Sequence, residues 1–475
     1  MGEINCIPDP YNDSPIVPSV VSFLDPQIYS KTKSFKKKEE LGYDLDPSPS
    51  FVLVGSAAKK RIDTHPHHTL YHAKRVLGRF YDDDAVKELK EEVEFHVHKQ
   101  IKSNNGNEVD DFRNSDVDDQ EEKYGVVFNV PFHHKSLKKL TKEKQEQQKN
   151  NLISILPHQV GSYVINHLME ITSQYLGYDN VKSAVIAVPA KFSAYQRQST
   201  VEAFKHVGVK VARILEEPVA AALAYGLQKK ENVDYIIVYD FGGGTLDVSV
   251  LQVFDGGYVE VIGNDGDNRL GGADFDAAVA HFLLEDNDEY GTKIVNDVSK
   301  VLSELEKSYN DAEDDIEEYL VSKCTKLVEM PLCSLSSLHT MGEKMKIELS
   351  SLKSESNSFV SGKCYGVPSL NADGAPPTNI SDFCSMLEPI KFKINSEQYN
   401  KACTPLYDRS ISPVSRILGD LDLSVGDIDE VVMVGGTTRM PQIREMVKEA
   451  LQIESLNTSI DPDLTVAYGA ASVID

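Results

Sequence analysis

From Ser183 to Val253 apolar runs alternate with stretches of helical period, and this alternation restricts the fold more than any other feature of the chain. "SAVIAVPA" is a run of the kind buried on both faces of a sheet. "YQRQSTVEAFKHVG" has helical spacing and stops at Gly208. "VKVARIL" is a second strand, and "PVAAALAYGL" is a helix whose small residues demand close packing. "YIIVYDFGGGTLDVSVLQV" then reads as two apolar strands joined by a glycine turn. Strands separated by helices imply layered α/β structure, with sheets covered on both faces. A chain of 475 residues exceeds what one core fills, so two or more lobes are expected.

Around this segment the texture varies. Residues 14 to 57 read as extended pieces broken by Pro and Ser, "TLYHAKRVLGRF" reads as a helix, and an amphipathic helix is expected near 157 to 177. The acidic stretch from about 103 to 122 has almost no aliphatic residues to bury, and so reads as a surface insertion. "KEKQEQQKNN" (142 to 151) is a second polar patch. Between about 271 and 395 helical and acidic segments dominate, with a loop at "GVPSLNADGAPPTN". The end returns to strand and turn in "EVVMVGGTTRMP", followed by a helix and "SIDPDLTVAYGAASVI". An apolar strand, a glycine turn and a Thr recur at 236 to 245 and 431 to 438, which suggests two related lobes facing one cleft.

Composition excludes several classes. A formal net charge of -25, with no basic stripe, argues against nucleic acid and anionic membrane surfaces as partners. Five of the six cysteines lie between Cys324 and Cys403 without a C-x-x-C pair, so zinc and redox-motif readings are weak. Reduced structural thiols are the default expectation, and bridges the alternative in an oxidising compartment. The first residues show no leader, no apolar stretch is long enough to span a bilayer, and Gly2 fits a myristoylation motif poorly. As written, the chain is expected to be soluble and cytoplasmic. "HPHHTLYHAK", "FHVH" and His133-His134 lack an accompanying ligand frame, so solvated loops are favoured over zinc. The acidic run 311 to 320 reads as the wet face of a helix, and the sequons at Asn379 and Asn457 carry little weight.

"DFGGGTLD" (240 to 247) is the sharpest chemical signal. Consecutive glycines let main-chain N–H groups approach an anion, and Thr245 adds a hydroxyl. Carboxylates beside a phosphate repel it unless a divalent cation lies between, so Asp240 and Asp247 imply magnesium held mainly through water. The competing reading is a glycine-rich hairpin with a capping Asp. "VGGTTRMP" suits a nucleoside or phosphate, or an ordinary turn before a capped helix. "RLGGADFD" places Gly271 and Gly272 at a helix start whose positive end could face a phosphate. Glu217, in "LEEPVAAALAYG", is either a second metal-directed carboxylate or a helix N-terminal acid.

In their order and spacing, "AVIAVPAKFSAYQRQSTVEAFKHVGVKVARILEEPVAAALAYGL", "VYDFGGGTLDVSV", "DNRLGGADFD", "VVMVGGTTRMPQI" and "NTSIDPDLTVAYGAA" strongly resemble the nucleotide-binding domain of the seventy-kilodalton heat-shock chaperones, the DnaK family. Among its members the likeness is greatest to the truncated microsomal one, which has the ATPase core without a peptide-binding domain. The resemblance implies an actin-like ATPase fold: two α/β lobes, each a mixed sheet flanked by helices, around a central nucleotide cleft. The first lobe would be 1–229 and the second 230–475, with an outer part at about 271–395. It also implies ATP or ADP with magnesium, and potassium as a further candidate ion. Co-chaperones or nucleotide-exchange factors are the implied partners, and the chain would have no peptide-binding domain of its own.

By the same resemblance Lys74 would place the attacking water, Glu217 and Asp240 would hold the magnesium shell, and Asp240 would also orient or deprotonate water. Gly242, Gly243, Gly244 and Thr245 would form the second phosphate loop, with Asp247 beside magnesium or potassium. Glu343, Lys346 and Ser350 would share one helix face on the adenosine side, opposite Gly435, Gly436, Thr437, Arg439 and Asp463. Pro189 and Arg197 match positions that relay nucleotide state. Two departures stand out. Ile347 replaces the arginine that would stack on adenine, and the strand with Asp-Leu-Gly-Thr-Thr that would supply the first phosphate loop is not found. Either the chain is an incomplete product of a longer gene or it is a degenerate relative. Restoring the loop would restore ATP hydrolysis, and an upstream signal would redirect the chain to the endoplasmic reticulum. The alternative function is a non-hydrolysing scaffold that binds chaperone partners. A sugar kinase of the same superfold would need a substrate base and sugar loop that are not evident.

Overall fold

The computed structural model describes residues 4–10, 12–24, 48–62, 65–100, 124–131, 152–178, 181–286, 298, 300–301, 324, 326–327, 330–352, 359–367 and 380–473. Gly2, the acidic stretch 103–122, His133-His134, the polar patch 142–151, the acidic run 311–320 and the loop at 368–379 with Asn379 lie outside the described residues. The chain divides into two compact units. One comprises Asn5–Val188 and Phe192–Ile214, and the other Met1–Ile4, Pro189–Lys191 and Leu215–Asp475.

The amino-terminal unit is built from short strands in separate small sheets. β1 (Val21–Phe23) lies between β2 (Val52–Val54) and β3 (Thr69–Leu70), antiparallel to both. β4 (His96–Lys99), β5 (Val126–Pro131) and β6 (Leu152–Ile155) form an antiparallel trio, and β7 (Ser183–Val188) pairs with β8 (Lys210–Glu216). Helix α1 (Asp84–Glu92) and helix α2 (Pro157–Leu176) cover a core that includes Phe23, Leu70, Leu89, Phe128 and Tyr163. α2 starts on a proline, where the missing N–H costs nothing, and ends at Gly177 with φ 73°. Helix α3 (Ala194–Lys205) opens with a capping box, Ser193 accepting from the Gln196 N–H and Gln196 from the Ser193 N–H.

"TLYHAKRVLGRF" is not one helix. Thr69 and Leu70 are drawn into β3, where Leu70 faces Val21 and Thr69 hydrogen-bonds Ser22, while Ala73–Val76 makes a single helical turn. His72 stands between them with φ 58°, a conformation no helix continues through. Non-local pairing to β1 overrides the local helical pattern.

The carboxyl-terminal unit is organised by a four-stranded mixed sheet in the order β11 (Tyr258–Asp267), β10 (Leu246–Phe254), β9 (Tyr235–Phe241), β14 (Glu430–Val434). β9 is buried on both sides. Ile237, Tyr239 and Phe241 join the main core, whereas Ile236 and Val238 pack with Ala221 and Ala222 of helix α4 (Glu217–Ala224). Helix α5 (Gly272–Asp286), helix α6 (Leu335–Ser351), helix α7 (Ile380–Met386), helix α8 (Ser396–Asp420), helix α9 (Pro441–Leu451) and helix α10 (Thr465–Ala471) belong to the same unit. The small-residue pattern of α4 is used as expected, since a Cβ on Gly469 of α10 would strike the Ala220 carbonyl.

Two expectations change in this unit. β9 and β14 are neighbouring parallel strands of a single sheet, Val431 opposite Ile237 and Val434 opposite Asp240. The repeated strand, glycine and threonine pattern therefore places two turns side by side on one unit, not one on each of two lobes. Within 271 to 395, read as largely helical, β12 (Val360–Gly366) and β13 (Glu388–Ile394) form an antiparallel pair. Its central Cys364 is bonded to Cys333, with Cα atoms 5.0 Å apart, so the default of reduced thiols fails at this pair. Cys6, Cys324, Cys384 and Cys403 remain thiols.

Candidate functional site

Strand alternation makes the site. On β9 the residues facing α4 run Ile236, Val238, Asp240, so an apolar face becomes acidic one step before the turn. In register, Asp240 stands opposite Asp247, Val238 opposite Ser249, and Ser249 opposite Asn264 of β11. A bulge between Val250 and Leu251 in the β10–β11 pairing shifts the register, so Val261 and Asn264 can serve the same face despite their odd spacing. The polar end of this face lines a pocket of about 300 Å³, counting its open mouth. Glu217 and Pro218 enter from the start of α4, and Pro189, Ala190 and Lys191 from the chain after β7. The structure thus brings Glu217, Asp240 and Asp247 to one pocket.

Two carboxylates directly opposite on adjacent strands repel each other unless a cation intervenes. Here the Lys191 ammonium lies 3.5 Å from an Asp247 oxygen. Apart from Lys191, the polar side chains of the pocket carry oxygen, from three carboxylates, Ser249 and Asn264, a hard set that fits magnesium. Among the described residues no three His, Cys, Asp or Glu side chains are grouped to hold an ion directly. His67 and His96 stack with ring centroids 5.5 Å apart, and partial burial, with Arg61 and His68 nearby, pushes His65 down to about 4.

The glycine turn sits immediately beside this pocket. The Gly242 N–H donates to the Thr245 carbonyl (3.0 Å), closing the hairpin. The Gly242 carbonyl accepts from the Gly272 N–H (3.0 Å) and the Thr437 hydroxyl (2.8 Å), and the Gly243 carbonyl from the Ala273 N–H (2.9 Å). Gly271 donates to Asp274 Oδ2 at 2.7 Å. The first N–H groups of α5 are therefore spent on the glycine turn and on Asp274, not left open at a helix end. By contrast, the N–H groups of Gly243, Gly244 and Thr245 have no hydrogen-bond acceptor among the described residues.

The neighbouring glycines are required by packing. A Cβ on Gly271 would collide with Gly244, one on Gly272 would come within 2.8 Å of the Thr437 hydroxyl, and one on Gly435 would meet the Phe241 carbonyl. Gly435 also has φ 83° and ψ 147°, a region nearly closed to other residues. Gly242 and Gly243 differ. Neither has positive φ, and a Cβ on Gly243 would find nothing within 4 Å.

The remaining candidates arrange themselves around the turns. Lys346 Nζ donates to the Gly272 carbonyl (2.9 Å) and pairs with Asp276 Oδ1 (2.8 Å). Glu343 and Ser350 share its side of α6, Ser350 donating back to the Lys346 carbonyl, and Ile347 beside them is 60 % exposed. Arg439 binds Asp461 and, at 3.0 Å, Asp463, whose carboxylate lies against Gly436. Lys74 belongs to the other unit, its ammonium 5.9 Å from the Phe192 ring centroid, and Arg197 there donates to the Phe192 carbonyl. Three residues escaped sequence reasoning. Lys191 and Asp276 lie inside quoted motifs without being singled out there, Asn264 lies in none, and sheet register and helix packing bring the three to the site.

Residues 48–121, 112–350 and 370–474 match the family described as Hsp70 protein. The chain belongs to the Hsp70 family. It is 32 % identical over 421 residues to the chaperone protein dnaK of Cyanidium caldarium, covering 88 % of this chain and 52 % of that protein. Against the chaperone protein dnaK of Thalassiosira pseudonana it is 32 % identical over 439 residues, 92 % of this chain and 55 % of the relative. The chain spans about half the length of the curated relatives it matches. Its Hsp70 membership and mixed sheets flanked by helices make the fold class α/β of the actin-like ATPase type. It is a member of an ATP-binding chaperone family, and no described helix is long and apolar enough to cross a membrane.

Proposed function

We propose that this Hsp70-family chain binds ATP or ADP with magnesium at the glycine turn of its carboxyl-terminal unit and hydrolyses ATP slowly. The observation that carries this reading is Gly243. Nothing in the chain's own backbone or packing calls for a glycine there, since a Cβ built on it would stand in open space, and its N–H and those of Gly244 and Thr245 have no acceptor among the described residues. A phosphate oxygen approaching those donors does require the missing Cβ. In this reading the N–H groups of Gly243, Gly244 and Thr245 donate to phosphate oxygens, and Thr437 holds the Gly242 carbonyl in place. Magnesium, when bound, supplies the positive charge that offsets the phosphates. Glu217, Asp240 and Asp247 orient its water shell, and Asp240 accepts a hydrogen bond from the water that attacks.

Lys74 is assigned to positioning that water, by likeness to the family. Lys346, Glu343, Ser350, Arg439 and Asp463 are assigned to the nucleoside side, and co-chaperones or exchange factors to the partners. The buried Cys333–Cys364 bridge supports an oxidising compartment such as the endoplasmic reticulum lumen.

The second reading is a scaffold that binds chaperone partners without turning over nucleotide. Ile347 favours it. An exposed aliphatic side chain cannot offer the cation–π contact of an arginine, a loss of roughly 0.5–2 kcal/mol. Calorimetric titration with ADP and ATP in magnesium, followed by phosphate release under single-turnover conditions, separates the two. Release that Lys74→Ala slows while binding persists supports the ATPase. Binding without release, indifferent to Lys74→Ala, supports the scaffold. ADP affinity unchanged in Gly243→Val would remove the basis of the ATPase reading.

A further inference from the structure

The pocket beside the glycine turn already contains a cation, the chain's own. Lys191 leaves the end of β7 directly after Pro189 and Ala190, and all three line the pocket with Asp240 and Asp247. Its ammonium stands 3.5 Å from Asp247 Oδ1, with both side chains about a third exposed. Asp240 and Asp247 face each other across β9 and β10, the pairing that most needs a positive charge between or beside the strands. Its charge is also felt, weakly, by Asp265 of the same sheet, whose own ion pair is with Arg416. Burial works to raise the Asp265 pKa, yet Arg416, the Gly266 N–H and Lys191 together hold it below its ordinary value.

We propose that Lys191 is a tethered monovalent cation that occupies the place beside Asp247 a potassium ion would otherwise take, so that this site works without potassium. The inference rests on the reading of this pocket as the metal and phosphate site. A lysine ammonium carries the same single charge as potassium and donates to the same hard oxygens, but being covalently held it is not lost to bulk solvent. Glu217 and Asp240 line the same pocket and are the carboxylates that this reading gives to a divalent ion. The pocket then takes one exchangeable metal, where an uncharged side chain at 191 leaves room for two.

The test compares the protein with Lys191→Met and Lys191→Gln in potassium chloride and in tetramethylammonium chloride at equal ionic strength. ADP affinity in magnesium is measured by calorimetry, and the melting midpoint without nucleotide in the same two salts. The unchanged protein is expected to bind ADP equally in both, while each variant binds about tenfold more weakly without potassium and recovers when it is added. Lys191→Arg, which keeps the charge, should follow the unchanged protein. Without nucleotide, only the uncharged variants should melt higher in potassium. A potassium requirement in the unchanged protein, or indifference of both uncharged variants to the salt, overturns the inference and leaves nucleotide binding intact. If no ADP binds in either salt, the proposed function has failed, and the nucleotide-free melts still decide about Lys191: equal midpoints reject it.

Discussion

The turns at Gly242–Gly244 and at Gly435–Gly436 follow neighbouring parallel strands and look alike as sequence, but the molecule uses them differently. At Gly435 the backbone itself excludes a side chain, through its dihedral angles and the Phe241 carbonyl pressed against it. At Gly243 the backbone is ordinary and the space above it is open. One glycine is required by the fold; for the other, the chain's own packing gives no such requirement. Gly435→Ala should give the largest effect, a loss of about 3 kcal/mol or more of stability seen as a lowered melting midpoint, because strain and collision act together. A midpoint within a degree or so of the unchanged protein would erase the distinction.

Gly243→Ala is the complementary case. Its melting should be unchanged within about 0.5 kcal/mol, whereas ADP affinity should fall by about ten- to a hundredfold as the methyl group keeps a phosphate from the N–H donors. Destabilisation at Gly243 comparable to that at Gly435 would mean that both turns are merely structural.

Much of the carboxyl-terminal unit was legible because its strands are buried on both faces and so appear as unbroken apolar runs, as at Ile236–Val238 and Val431–Met433. The short strands were not. Thr69 and Leu70 sit in a locally helical pattern and become a strand only because Val21 and Ser22 lie beside them. β12 was hidden for the same reason, its pairing with β13 crossing more than twenty residues of chain. That Asp240 and Asp247 lie close together was legible from the glycine motif that carries both, whereas Glu217, which lines the same pocket, was singled out from a separate motif. Their cation was not legible. Lys191 lies more than fifty residues from Asp247, within a stretch with no charge pattern, and the two meet through tertiary packing alone. The recurrence at 236 and 431 misled for a related reason, because a repeated motif gives no indication of whether its copies share a sheet.

A smaller change tests whether the two turns are coupled. Thr437, in the second turn, donates to the Gly242 carbonyl of the first at 2.8 Å and is nearly buried. Thr437→Val keeps the shape and removes the donor, which should cost about 1 kcal/mol of stability. If the bond aligns the first turn, ADP affinity should fall along with the midpoint. A variant that melts lower yet binds ADP as before would show that the turns touch without the second shaping the first.

Acid titration provides the control for the others. His65 lies in the amino-terminal unit, and burial, with Arg61 and His68 adding to it, brings its pKa down to about 4 from an ordinary 6.5. The unfolded chain therefore takes up this proton first as pH falls. The contribution of His65 is intact above about 6.5 and declines progressively to pH 4. Stability measured by denaturant titration should follow that sign, and His65→Gln should flatten that part of the profile. Because the change arises in the other unit, Gly243→Ala and the unchanged protein should trace the same curve. If Gly243→Ala shifted the acid limb as well, its loss of ADP binding would have to be read as damage to the fold, and the contrast with Gly435 would collapse.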